Sequence, residues 1–318
     1  MILGIIQKDS GPGFHRILMP LITMPQTDVM VTNQFTDEIL NKKQPDTVYY
    51  NRLIDDSVWK QRTKRGFKIA VDVDDHWLLN PGHISYQHAR ATDYSSKCIE
   101  HMRKADVVTC THERLAEQIS RYNKNVHILP NAIPKHEYFT FDKREDGHVR
   151  IFWQGSITHE ADLNLLAYGI KGLWHDGLRP KMVIAGLTDS PVWKRMAHTY
   201  IDKHDGMVLA GCSPFEYYKH YAFADIAVIP LLHNSFNTYK SNLKFLEAAH
   251  AGLPVICSEV DPYLGLPVLY AGKKDWQILL TDLINDAPLR KHLGQVNKEY
   301  AEKHFNFDEI NLKRREIL

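Results

Sequence analysis

The stretch NTYKSNLKFLEAAHAGLPVICS, Asn237–Ser258, sets Lys240, Lys244 and Glu247 at i, i+4 and i+7. A helix at that spacing carries all three side chains on one face, with Leu243, Leu246 and Ala249 as a neighbouring apolar stripe. Lysines at a helix start sit badly with the positive end of the helix dipole, and a bound anion would resolve the conflict. The Ser241 hydroxyl and the Asn242 amide add donors beside them. Glu247 is spaced to accept hydrogen bonds from vicinal hydroxyls, as acidic residues do for ribose. A solvated helix face is the bland alternative. Phosphate at one end and ribose at the other describe a nucleotide, and this favours a ligand site.

A second concentration of chemistry is DVDDHW, where Asp72, Asp74 and Asp75 crowd the end of an apolar run beside His76 and Trp77. Clustered carboxylates repel, so such a group belongs at a ligand, at a metal or at a helix N-terminus. In a strand Asp72 and Asp74 point the same way, and Asp75 could cap the next element. Near the N-terminus, Gly11 and Gly13 follow a strand and precede a helix containing Arg16. That arrangement lets backbone amides approach an anion, although a plain tight turn reads the same way. In QGSITHEADL, Gly155 and Ser156 leave room for a phosphate or a sugar, with Thr158 as the expected N-cap and Ala161 at N3. His159 either contacts a ligand or is a solvated first-turn residue, and Asp162 supports the helix dipole. The run KQRTKRGFK, Lys60–Lys68, holds five basic residues in nine. It is the exposed end of a helix or a contact to an acidic acceptor such as nucleic acid. Trp153 and Trp174 are expected in the core, and no HxxxH or HExxH spacing organises the 18 histidines into a zinc site.

The whole chain bounds these readings. At 318 residues it is long for one core and suits two domains. With 44% hydrophobic and 24% charged residues it has an ordinary globular composition. The net charge of +1 argues against attachment to nucleic acid or membrane by bulk charge. Cys98, Cys110, Cys212 and Cys257 lie far apart with no CxxC pairing, so reduced, buried thiols are expected. MILGIIQKDS lacks the basic region of a signal peptide, and no run approaches the ~20 apolar residues of a membrane span. A cytoplasmic location is the expectation.

The elements that would position these residues alternate. ILGIIQ, VMVTN, TVYYNRLI, FKIAVDVDD, ADVVTCT and VHILPNAI read as strands in a first series, with helical stretches between them. The polar stretch TFDKREDGHVR marks a linker. VRIFWQGS, KMVIAG, MVLAG, IAVIPLL and LPVICS form a second series, and helices run from about Asp275 to the C-terminus. The pattern predicts two Rossmann-like α/β halves. In open α/β sheets ligands bind outside the carboxyl ends of the strands, which is where every loop named above falls.

FNTYKSNLKFLEAAHAGLPVICS resembles the C-terminal donor-binding segment of GT-B glycosyltransferases, especially the family 4-like group (glycosyl transferases group 1). ADVVTCTHERLAEQISRYNKNVHILPNAI resembles the end of the N-terminal domain in the same enzymes, and GPGFHRILMPL, DVDDHW and GSITHEADL are similar to further motifs of the group. The resemblance implies two Rossmann-like domains facing each other across a cleft. It assigns an acceptor domain to residues 1–147 and a nucleotide-sugar donor domain to 148–300, with a C-terminal helix, 301–318, able to cross back to the first. It implies that Glu247 holds the donor ribose and that Lys240 or Lys244, with Ser241 and Asn242, meets the diphosphate. Gly155 and Ser156 would lie under the donor, and Gly13 would let its loop close over the phosphates, with Arg16 and His159 also on the donor. Asp74, Asp75 and His76 would stand near the acceptor, one of them orienting or deprotonating its hydroxyl. The implied activity is retaining transfer from a nucleotide sugar, UDP- or GDP-linked, with no cofactor and no metal. The acceptor is a glycan, a lipid-linked sugar or a nucleic-acid hydroxyl. Two departures stand out: Tyr239 occupies the position of a usual glutamate eight residues before Glu247, and His159 and Glu160 stand where an Arg and Lys pair is usual. The other readings are a nucleotide-sugar epimerase on the same fold, a transferase acting on a modified base in DNA, and a non-catalytic nucleotide-sugar-binding module.

Overall fold

Runs such as KIAVDV and RIFWQ are rich in β-branched and aromatic residues and are apolar on both faces, as strands of a parallel sheet covered on both sides must be. In the computed structural model they form two such sheets. The structure describes residues 1–7, 10–144, 146–201 and 206–318. Lys8 and Asp9 of the glycine-turn loop and Glu145 of the polar stretch therefore lie outside the described residues. The chain divides into two compact units: Met1–Pro134 with Tyr239–Ser241 and Asn306–Leu318, and Lys135–Thr238 with Asn242–Phe305.

The first unit carries β1 (Ile2–Ile5), β2 (Val29–Thr32), β3 (Thr47–Asn51), β4 (Lys68–Val73), β5 (Val107–Cys110) and β6 (Val126–Ile128). Their order is β2-β1-β3-β4-β5-β6, with every pairing parallel. The second unit carries β7 (Arg150–Gln154), β8 (Lys181–Leu187), β9 (Met207–Ala210), β10 (Ile226–Ile229), β11 (Val255–Ser258) and β12 (Leu269–Ala271). Their order is β12-β11-β10-β7-β8-β9, again all parallel. Each order reverses direction at one place, β1 against β3 and β7 against β10, and these switch points are where open α/β sheets bind ligands. Strand β12 was not among the expected strands; it is a three-residue edge element too short to carry a period.

Each sheet has its own buried cluster. Leu3, Val48, Ile69, Val71, Met102 and Val108 belong to the first. Trp153, Ile170, Ile184, Trp193, Val228 and Trp276 belong to the second. Trp174 packs against the second cluster while remaining partly exposed. The boundary falls at Pro134, earlier than the charged stretch suggested, because aromatic side chains beyond it bury in the second unit. Phe139 stands edge-on to Tyr218 at 5.3 Å, and the Arg144 amide donates to the Ala222 carbonyl at 3.0 Å. At the other end, the helix Ala287–His304 stays with the second unit, Asn297 donating to the Leu253 carbonyl at 2.9 Å. The helix Phe307–Ile317, capped by Asn306, packs in the first. There Asn311 donates to the Pro20 carbonyl at 2.8 Å, and Arg314 is buried beside it. Cys98, Cys110 and Cys257 are buried, but Cys212 is exposed. Among the described residues no helix is long and apolar enough to cross a membrane.

One buried ion pair knits the first unit. Arg16 is in the turn that follows β1, a π-helical segment over Gly13–Leu18, and its guanidinium is fully enclosed. It donates to both Asp72 oxygens, at 3.0 Å through Nε and 2.8 Å through Nη2, and through Nη1 to the Leu129 carbonyl (2.7 Å) and Asn131 Oδ1 (3.0 Å). Tyr49 and Thr109 add hydroxyl donors to Asp72 at 3.2 and 2.7 Å. Burial works against the charge of Arg16, but the Asp72 carboxylate outweighs it and raises the pKa above its ordinary value. Removing one partner of such a pair strands the other in the core. Arg16→Met should therefore cost about 3–5 kcal/mol of first-unit stability. Urea unfolding would read this as a lowered midpoint, and an unchanged midpoint would contradict it.

Candidate functional site

The second unit gathers candidate residues at the carboxyl ends of β7, β8 and β10. Gly155 follows β7, and a Cβ placed there would meet the Trp153 ring at 2.7 Å. Gly186, near the end of β8, has a φ of +108°, and a Cβ on it would lie 2.1 Å from the Gly155 carbonyl oxygen. The Gly186 backbone comes this close to the Gly155 carbonyl only because Gly186 has no side chain. Lys244 reaches the same place: its Nζ lies over the Trp153 ring, 5.4 Å from the centroid. The helix that carries it runs Leu243–His250. Lys240 therefore lies outside the helix, correcting the expectation that Lys240, Lys244 and Glu247 share one helical face. Asn242 sits at the N-cap position, and its side chain makes no capping bond.

Glu247 is buried on this helix, not displayed on a solvated face. The Tyr217 hydroxyl donates to Oε1 at 2.5 Å and Tyr221 to Oε2 at 3.1 Å, while Tyr218 donates to the Glu247 carbonyl at 3.1 Å. Burial first, and the Glu247 charge second, push Tyr217 and Tyr221 well above the usual phenol range, so both remain proton donors. These tyrosines were missed from sequence, although the run EYYKHY places two of them four residues apart, one above the other on a helical turn.

Ser156, and not Thr158, is the cap after β7, its hydroxyl accepting from the Thr158 amide at 3.4 Å. Asp162 does more than support a helix dipole. It is buried, and it accepts from the Leu232 amide beyond β10 (2.7 Å), from Asn237 Nδ2 (3.1 Å) and from His159 Nδ1 (2.7 Å). Burial alone would raise its pKa. The His159 bond and the Leu232 amide outweigh that and hold it below the usual carboxylate range. Asp162 thus ties the loop after β7 to the loop after β10, across the second sheet's switch point. His159 is drawn onto Asp162, and Glu160 onto Arg195 in a two-bond fork at 3.0 Å each.

In the first unit the loop after β4 holds Asp74, Asp75 and His76. Arg52 grips both aspartates: Nε lies 2.7 Å from Asp74 Oδ1, and Nη2 lies 3.5 Å from Asp75 Oδ2. Asn51 also donates to Asp74 at 2.9 Å. Burial would raise the Asp74 pKa, but the charge and hydrogen bond of Arg52 lower it on balance, so Asp74 is a weak base. Arg52 itself adopts a φ of +56°, a left-handed conformation uncommon outside glycine. Neither that strain nor the clamp was visible in sequence. Asp75 Oδ2 is also 3.6 Å from Lys240 Nζ, and its enclosed Oδ1 has no hydrogen-bond partner among the described residues.

His76 stacks between Trp77 and Tyr239, at 4.6 and 4.4 Å between centroids. Its Nδ1 lies 3.1 Å from the Leu78 amide nitrogen and 3.4 Å from the Leu78 carbonyl oxygen, and the shorter contact places the proton of the neutral ring on Nε2. Neutral His76 is therefore a hydrogen-bond donor at Nε2 and has no free lone pair for taking a proton from an acceptor. His112 holds the Tyr239 carbonyl at 3.1 Å, and Asn131 donates to Ser241 Oγ at 2.8 Å. Tyr239–Ser241 is thus built into the first unit. Gly13 donates its amide to Ser10 Oγ at 3.1 Å. Arg16, expected on an anion, is instead committed to Asp72. Among the described residues no group of three or more His, Cys, Asp or Glu could hold a metal ion. In the basic run, Arg62 pairs with Asp106, and Arg65 donates to Asn41 (2.8 Å) and Gln61 (2.9 Å).

No protein-family model and no curated protein matches this sequence. Solved structures do match the fold. An S. aureus TarM variant, solved with fondaparinux, α-GlcNAc-glycerol and UDP, aligns over 88% of this chain and 57% of its own, at 14% identity and a TM-score of 0.63. A UDP-forming α,α-trehalose-phosphate synthase from Burkholderia xenovorans aligns over 88% and 75%, at 12% identity and 0.61. A Listeria monocytogenes protein assigned as a UDP-N-acetylglucosamine 2-epimerase aligns over 98% and 96%, at 9% identity and 0.56. The fold is GT-B. The chain spans little more than half the length of the TarM structures.

The histidines of the first unit make its stability depend on pH. Burial depresses His76, and in His101 and His112 it outweighs the bonds to Asp56 and to the Tyr239 carbonyl. The unfolded chain binds protons more tightly at these rings. Their contribution is full above the unfolded pKa of about 6.5 and is lost as pH falls below it. The thermal midpoint should drop between about pH 7.5 and pH 5.5; a flat or rising midpoint would contradict the assignment.

Proposed function

We propose that the chain is a glycosyltransferase that moves a sugar from a nucleotide-diphosphate sugar, UDP- or GDP-linked, to an acceptor hydroxyl. Transfer is retaining and independent of divalent metal. One observation carries the reading. A single helix in the second unit bears Lys244 beside the side-chain-free backbone of Gly155 and Gly186 and, three residues on, a carboxylate held by two tyrosines. The first arrangement suits a diphosphate and the second a pair of vicinal hydroxyls. UDP in the TarM complex and the UDP-forming activity of the trehalose-phosphate synthase make UDP the first nucleotide to test.

As the glycosidic bond of the donor breaks, negative charge grows on the leaving diphosphate. Lys244 and the amides at the start of its helix would meet that charge, and interactions that strengthen in the transition state are those that accelerate a reaction. In this reading the lysine does the work a divalent ion would do. Glu247, oriented by Tyr217 and Tyr221, would receive the ribose hydroxyls. In the first unit, Asp75 and the Nε2–H of His76 would orient the acceptor hydroxyl. The Arg52 clamp makes Asp74 a positioning group.

The test is mass spectrometry of the protein with UDP-, GDP-, ADP-, CMP- and dTDP-sugars in EDTA, beside Lys244→Ala and Glu247→Ala. Release of one nucleoside diphosphate, lost in both variants, is the expected result. Intact donors throughout, with no donor shifting the melting temperature, would leave a GT-B fold without this activity. Tyr217→Phe should weaken binding of the accepted nucleotide about tenfold, because it frees the Glu247 carboxylate to turn. Isothermal titration would read the loss, and unchanged affinity would remove Tyr217 from the site.

A second reading, nucleotide-sugar epimerisation, is favoured by the end-to-end alignment with the Listeria protein. It predicts a donor isomer of unchanged mass formed without acceptor, which chromatography of the same reactions would reveal.

A further inference from the structure

The basic run that ends the helix Ser57–Arg65 does not stand alone. Four segments, 41–46, 62–68, 103–106 and 120–125, lead into β3, β4, β5 and β6, which are neighbours in the first sheet. Together they hold ten of the chain's 39 Lys and Arg and two of its 38 Asp and Glu. Both acids are already matched, Asp46 by the Met1 amino group and Asp106 by Arg62. The helices before them are Asp37–Lys43, Ser57–Arg65, Tyr94–Lys104 and Glu113–Ile119. They contribute Leu40, Val58, Met102 and Leu115 to one buried cluster and so cover the same face of the sheet. Their ends touch in succession. Arg65 donates to Asn41 at 2.8 Å, Lys104 Nζ lies 5.7 Å from the centre of the Trp59 ring, and Asn123 donates to the Ala105 carbonyl at 2.8 Å. Residues 37–68 and 94–125 all fall among the described residues.

Cations in a last helical turn complement the helix dipole, which accounts for part of this charge. Lys68, on β4, lies outside that explanation, and the concentration at one sheet edge stands in a chain whose net charge is only +1. Lys42, Lys43, Lys64, Lys68, Arg103 and Lys124 are exposed. Packed helices lie about 8–10 Å apart, so four such ends form a row on the order of 30 Å long, about nine base pairs of duplex. We infer that this edge binds the phosphate backbone of double-stranded nucleic acid without reading its sequence. A row of separated cations fits a polyanion, whereas a single phosphate needs cations that converge on one point. Among the described residues, no exposed large hydrophobic side chain lies on the four segments or their helices. The edge therefore lacks the apolar insertion that membrane-surface helices join to their charge, and the aromatic platform on which single strands stack. Trp59 and Tyr122 are half-buried, with Lys104 and Arg103 over their rings. Asp74, Asp75 and His76 follow the opposite, carboxyl end of β4, so this edge is separate from the candidate site. The inference does not depend on the transferase reading.

Fluorescence anisotropy of the full chain with a labelled random-sequence DNA duplex of about 20 base pairs tests this. Binding is expected in about 50 mM salt and should weaken roughly a hundredfold by about 200 mM, as contact with about four phosphates requires. Lys43→Glu, Lys64→Glu and Lys68→Glu together should weaken binding at least about a hundredfold. Lys171→Glu, Lys273→Glu and Lys303→Glu make the same charge change on exposed residues of the second unit and should weaken it less than about threefold. Thermal melting reports whether both triple variants are folded, and Lys64→Ala, which should lower the salt slope by about one, tests the edge without charge reversal. No duplex bound in about 50 mM salt, equal losses in the two triple variants, or an unchanged slope in Lys64→Ala would each overturn the inference. Phosphatidylserine vesicles and poly-glutamate are the comparison probes. Tighter binding of either than of the duplex, at equal charge, would overturn it in favour of a membrane surface or an acidic protein.

Discussion

The Arg16–Asp72 pair is the constraint on which the first unit depends. Asp72 is buried at the carboxyl end of β4, and a charge enclosed at that depth must be matched in place. Asp72 is the last residue but one of β4 and is fully enclosed. Arg16 answers it from the turn after β1, and the remaining guanidinium donors reach the chain beyond β6. One ion pair thereby sets the distance from the first loop to the fourth and to Asn131, which in turn holds Ser241. Asp74, Asp75 and His76 inherit their positions from this anchor, because they are the residues just after Asp72 in the chain.

The second unit meets the same constraint with a different donor set. Asp162 is its buried carboxylate at the carboxyl edge, and its partners are a backbone amide, a carboxamide and a histidine. No arginine is needed because donors from two loops converge on it. Asp162, held below the usual carboxylate range by its partners, is a poor proton acceptor but a rigid strut. In both units the groups around the buried carboxylate are held in one geometry. The residues left with unmet capacity, such as the enclosed oxygen of Asp75, are better placed for a ligand than those bound in the struts.

Glu247 shows how burial changes the meaning of a motif residue. A carboxylate at this depth is costly unless donors surround it, and Tyr217 and Tyr221 supply them. Those donors also fix the direction in which its other lone pairs point. The position that a family pattern would fill with a second glutamate is Tyr239, whose ring stacks on His76 in the first unit. The substitution exchanges a charge for a stacking surface and helps hold the His76 ring.

Sequence alone determined the class of the longer elements. Apolar runs of strand length alternating with helical stretches can be satisfied only by parallel sheets covered on both sides. The spacing of Lys244 and Glu247 within one helix was legible for the same reason: local periodicity is a property of the chain itself. Tertiary structure decided what each polar residue is for. Arg16 and Asp72 are 56 positions apart, and nothing local announces that one will neutralise the other. Lys240 looked like a helical neighbour of Lys244, but the helix starts only at Leu243 and Lys240 turns to Asp75. Arg52 and the tyrosines around Glu247 were invisible because their roles arise from strands and turns far away in sequence. A charge declares its presence in a sequence, but its partner is chosen by the fold.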